Sequence, residues 1–154
     1  MSEDYGRMAD FYEVPLPDGG KLYLSNRVTN KIKADFQSWL AGNGRRDAYQ
    51  AISEGPEALE RSLDDLFAAS GAGMFNWGGK ASRRALRDIP GIAKMIALLA
   101  EAAGKTPISE AEVIELVTSK DSGMAILFGK AVREITDATP NFWSPPVIER
   151  TARA

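Results

Sequence analysis

From Ile32 to Ile135 the apolar side chains recur three and four residues apart, in stretches cut by glycine and proline, and that rhythm permits little besides a set of short amphipathic helices. Ile32, Phe36, Trp39 and Leu40 fit the i, i+4, i+7, i+8 spacing of one helix, with Thr29 or Asn30 as its cap and Gly42 as its stop. Trp39 belongs to the core on this pattern. A short helix over 45–53 presents Ala48, Tyr49 and Ile52, and Gly55-Pro56 opens the next, whose buried stripe is Leu59, Leu63, Leu66 and Phe67. Residues 82–88 allow a turn or two of helix. Pro90-Gly91 starts a longer one that carries Ile92, Met95, Ile96 and Leu99 and ends at Gly104. Ser109 and Glu112 stand in capping-box spacing, with Ile108 and Val113 placed as a hydrophobic staple, and the helix they open buries Val113, Leu116 and Val117. A last helix from about residue 122 buries Leu127, Phe128, Ala131 and Ile135 before Thr139-Pro140 ends it.

The period changes only near the start, where Tyr12, Val14 and Leu16 alternate, Pro17-Asp18-Gly19-Gly20 signals a turn, and Leu22 and Leu24 alternate again. The expectation is therefore a mainly α fold: a small bundle of five or six helices with an N-terminal β-hairpin over 11–26. One domain over 11–140 follows a flexible segment 1–10 and precedes a tail, 141–154, rich in proline and aromatic residues. A chain of 154 residues is long enough for a sizeable core.

The chain has no cysteine and no histidine, which removes thiolate metal sites, disulfides, the cysteine nucleophile and the commonest general base and metal ligand together. No cofactor and no enzyme activity are expected. The net charge of −2 offers no whole-molecule attraction to nucleic acid or to an anionic membrane, so neither is expected as a partner. The acidic start lacks the basic and apolar run of a secretion signal, and no stretch approaches the about 20 apolar residues of a membrane span. Synthesis and action in the cytoplasm are expected.

Gly78-Gly79-Lys80 is no phosphate loop, since Met74 stands where that motif needs glycine and Ala81 where it needs a hydroxyl. The helices on either side of residues 104–107 could be drawn as a helix-turn-helix, but Glu110, Glu112 and Glu115 would repel phosphates. Asp64, Asp65 and the glutamates after Ser109 read as solvated charge.

Between the glycines of residues 71–79, where backbone is permissive, stand Met74, Phe75 and Trp77. These large apolar groups in a loop pack either on their own core or on a partner. Lys80, Arg83, Arg84 and Arg87 follow as a basic cluster, either a solvated helix face or a grip for an acidic segment or a phosphate. Phe142 and Trp143, set among prolines, either fold back on the helices or form a linear motif for a partner.

Phe75-Asn76-Trp77-Gly78-Gly79, the run from Ala85 to Ala93 containing Asp88-Ile89-Pro90-Gly91, the apolar helix through Leu99 and Pro107-Ile108-Ser109 with Glu112 resemble, in this order, the tail assembly chaperones of long-tailed bacteriophages. The resemblance covers about residues 56–140, and the Phe142-Trp143 tail departs from it. It implies a non-enzymatic helper in the cytoplasm of the infected bacterial host. Such a helper binds the tape measure protein, keeps that long helical chain soluble and helps gather tail-tube subunits. The nine candidate contact residues are then Met74, Phe75, Trp77, Lys80, Arg83, Arg84, Arg87, Phe142 and Trp143. A virion component is the alternative: a tail terminator, neck or head-tail connector protein whose hairpin joins neighbouring subunits in a homo-oligomer. A small hydrolase built on Asp64, Asp65 or Glu112 is the third reading.

Overall fold

The computed structural model describes residues 6–7, 11–119 and 123–137. It is mainly helical, with six α-helices among the described residues and an N-terminal antiparallel hairpin. The hairpin strands are β2 (Phe11–Pro15) and β3 (Lys21–Ser25), and a two-residue strand β1 (Gly6–Arg7) pairs with β2 on its other side. The register sets Tyr12 opposite Leu24 and Val14 opposite Leu22. All four are buried, because a period of two sends alternate side chains to one face. Most of the expected flexible segment 1–10 lies outside the described residues, but Gly6 and Arg7 pair with Glu13 and Tyr12.

The helices are α1 (Asn30–Tyr49), α2 (Pro56–Gly71), α3 (Lys80–Ala85), α4 (Ile89–Ala103), α5 (Glu110–Thr118) and α6 (Met124–Asp137), with a 3-10 turn Gln50–Glu54 between the first two. Helix α4 is central. It packs on β3, α5, α6, α1 and α3. Apolar residues surround most of its circumference, as a helix covered on several sides requires: Met95, Ile96 and Leu99 are fully buried. Phe128 and Ile135 of α6 and Val113 of α5 complete that interior beside the inner face of the sheet. Each such side chain contributes about 1.5–3 kcal/mol by leaving water. At the start of α4, a Cβ on Gly91 would stand 1.9 Å from the Ala85 carbonyl oxygen, so the close seating of α3 on α4 needs a glycine there.

The capping box at α5 forms in full: Ser109 Oγ accepts from the Glu112 N–H at 3.1 Å, and Glu112 Oε1 accepts from the Ser109 N–H at 3.4 Å. Thr29, of the two candidate caps, takes the α1 terminus, its Oγ1 accepting from the Ile32 N–H at 3.3 Å. At the outer edge of β3 the Tyr23 N–H donates to Thr106 Oγ1 at 2.9 Å, and the Lys105 ammonium sits 4.6 Å over the Phe11 ring. That part of the sheet edge is thus occupied by the chain itself.

Two expectations are corrected. Gly42 does not stop α1, which runs through it and Gly44 to Tyr49 and absorbs most of the separate helix expected over 45–53; only its end survives, as the 3-10 turn. An interior glycine costs a helix roughly 1 kcal/mol, a penalty that packing on α2 and α4 can offset. The stripe of α2 is not buried either. Leu59, Leu63 and Leu66 are half-covered, and Phe67 is 70% exposed, because α2 leans on α1 and the 3-10 turn with no layer outside it.

Candidate functional site

The glycine-rich loop over 72–79 is closed by its own hydrogen bonds. The Met74 N–H donates to Ala69 O at 3.1 Å and the Asn76 N–H to Gly73 O at 3.1 Å. The Gly79 N–H reaches Asn76 O at 2.8 Å and the Ala81 N–H reaches Met74 O at 3.2 Å. Buried Ser82 adds its hydroxyl to Gly79 O at 3.0 Å. Three carbonyl oxygens, of Gly73, Met74 and Asn76, lie within 2.8–2.9 Å of where a Cβ on Gly79 would be. The permissive backbone thus serves a tight, self-satisfied set of turns.

This geometry sends the three large side chains different ways. Trp77 turns inward: its ring meets Phe36 edge-on, centroids 6.0 Å apart, and its backbone N–H donates to Gln37 Oε1. Phe75 lies on α1, where a Cβ at Gly44 would stand 2.7 Å from the Phe75 Cζ. Absence of a side chain at Gly44 is what lets the loop seat on the helix. Leu66 of α2 reaches the same point, its Cδ1 3.2 Å from that position.

Phe75 and Met74 then line a recess of about 560 Å³ formed by α1, α2, the loop and α3. Its apolar lining includes Leu40 and Ala48 of α1 and Leu66 and Ala69 of α2. Asp47 and Asp65 come from the α1 and α2 side, Lys80 and Arg84 from α3, and Asp88 from just past it. All five are exposed, and none is in an ion pair among the described residues. A second recess of about 570 Å³ shares Leu40, Asn43, Ala85 and Asp88 and continues past Trp39, Arg87 and Ile89. The two adjoin along these shared residues and are named together the trough, with apolar floors and charged rims of the kind that receive an apolar face.

Five of the nine candidate contact residues therefore line the trough: Met74, Phe75, Lys80 and Arg84 in the first recess and Arg87 in the second. Trp77 lines neither recess and packs, partly buried, against the core. Arg83 is half-buried with its Nε shut off from solvent. Phe142 and Trp143 lie outside the described residues. Sequence reasoning missed Gly44, Asp47, Leu66 and Ala69. The signal for Gly44 was present, as a small residue on the apolar side of a helix, and reading Gly42 as a stop concealed it.

Two further recesses flank α5, of about 690 and 470 Å³, and carry Glu101, Glu110, Glu112, Glu115 and Asp18 with one cation, Lys94, already paired to Glu110 at 3.1 Å. The larger of these has a thinner apolar lining than the recess at Met74 and Phe75. Asp65 lies in the trough and Glu112 in the capping box, so the carboxylates of the hydrolase reading are not brought together. Among the described residues no group of three or more acidic side chains could hold a metal ion. Nor is any helix there long and apolar enough to cross a membrane. No family model, curated protein or solved structure matches the chain.

Proposed function

We propose that this chain is a non-enzymatic tail assembly chaperone of a long-tailed bacteriophage. In the cytoplasm of the infected host it holds the tape measure protein in solution and helps recruit tail-tube subunits. The observation that carries the reading is the trough: apolar side chains of α1, α2 and the glycine loop stand open between charges that form no ion pair among the described residues, and Met74 and Phe75 line it. A holdase needs an adaptable apolar surface and no reacting group, and Met74 beside Phe75 supplies one. Binding a client that would otherwise aggregate shifts its equilibrium by mass action alone.

The virion-component reading needs the hairpin to extend a neighbour's sheet, and occupation of the β3 edge by Thr106 counts against extension on that side. Co-expression with the product of a long, helix-rich gene from the same genome, followed by solubility and co-elution on size exclusion, tests the proposal. Rescue of the client supports the chaperone. A client that stays insoluble, with this chain found in purified particles, assigns it to the virion.

A further inference from the structure

We propose that the trough selects an α-helix whose apolar stripe is edged by basic residues along one side and acidic residues along the other; the inference rests on the client-binding reading above. The walls are helices, whose backbone groups are already bonded along their own axes. In the loop the carbonyls of Gly73, Met74 and Asn76 are already taken by the N–H groups of Asn76, Ala81 and Gly79. An extended peptide laid against these helical walls would find no strand edge to pair its N–H and C=O groups with. A helix brings them satisfied.

The charges choose among helices. The α1 and α2 rim presents Asp47 and Asp65, the α3 rim presents Lys80 and Arg84, and Asp88 ends the basic row. With no ion pairs among themselves, these groups are available to an occupant. A bound helix with like charges on both edges meets repulsion on one rim, while one with opposite edges meets complement on both. From Leu40 to Ala48 the α1 floor advances eight residues, about 12 Å, which matches two to three turns of an occupant.

The test uses fluorescent helical peptides of about three turns with one shared apolar stripe: one with a lysine edge and a glutamate edge, one with lysine on both, one with glutamate on both, and a proline-broken copy of the first. Anisotropy with the full chain should show the mixed-edge peptide bound about tenfold tighter than either single-sign peptide, with the proline copy lost. The paired variants Asp47→Lys/Asp65→Lys and Lys80→Glu/Arg84→Glu should each weaken the mixed-edge peptide. Combining all four should restore it, since a helix turned end for end exchanges its edges. All four positions are exposed, so folding should survive, and circular dichroism checks that it does.

Equal binding of the single-sign peptides, indifference to the paired variants, or equal binding of the proline copy would overturn the inference. A long client that co-elutes with wild type and with both paired variants alike would sink the edge assignment and leave client binding standing. Tight mixed-edge binding with no client rescue would do the reverse.

Discussion

The side of the molecule built from the hairpin, α4 and α6 and the side built from the end of α1, α2, the glycine loop and α3 both carry amphipathic patterns, yet they use them differently. On the first, Leu24, Leu99, Phe128 and Ile135 are fully buried against one another. On the second, no residue of α2 is buried, and Tyr49, Ile52 and Phe67 are 55%, 62% and 70% exposed. A helical apolar stripe therefore tells which way a helix faces, and what covers that face is decided by the layers outside it. The first side spends its stripes on folding. The second keeps part of its apolar surface open beside charges that form no ion pair among the described residues, which suits binding.

The contrast predicts a graded response to substitution. Phe128→Ala, in the buried side, should lose about 3–5 kcal/mol in chemical denaturation by leaving a cavity that close-packed neighbours cannot fill. A loss near 1 kcal/mol would mean that this interior is looser than its burial indicates. Gly91→Ala, at the seat of α3 on α4, should cost up to about 3 kcal/mol, since backbone rather than a flexible side chain opposes the new methyl group. Gly44→Ala sets a helix gain of roughly 1 kcal/mol against displacement of the Phe75 ring. A net loss of about 1 kcal/mol, with weakened client binding, should be read from paired melting and co-elution experiments. A net gain with binding intact would separate Phe75 from α1. Phe67→Ser should change stability by no more than about 0.5 kcal/mol, as surface positions do. A larger loss would place Phe67 in a contact that its exposure does not suggest.

How much was legible in the sequence divides along the same line. The register of Tyr12, Val14, Leu22 and Leu24, the capping box at Ser109 and the end of α4 at Gly104 follow from local rules that no distant contact opposes. The seating of Phe75 on Gly44, thirty-one positions away in the chain, was not legible, because no local rule links the two, and reading Gly42 as a stop hid the turn of α1 that receives it. The loop posed a question of inside or outside for Met74, Phe75 and Trp77 as a group. The structure answers it residue by residue: Trp77 goes to the core, Phe75 bridges core and trough, and Met74 lines the trough. The basic cluster divides in the same way, Arg83 half-buried and Lys80 and Arg84 at the rim. Turns and helix ends set these directions, and no periodicity encodes them.

The most direct measurement is hydrogen exchange of the full chain with and without the proposed helical client. The account predicts added protection confined to α1 over 40–48, α2 over 62–69, the loop at Met74 and Phe75 and α3 over 80–85, with the hairpin and α6 unchanged. Protection concentrated on α5 and the hairpin turn, or none anywhere when the client is bound, would contradict it.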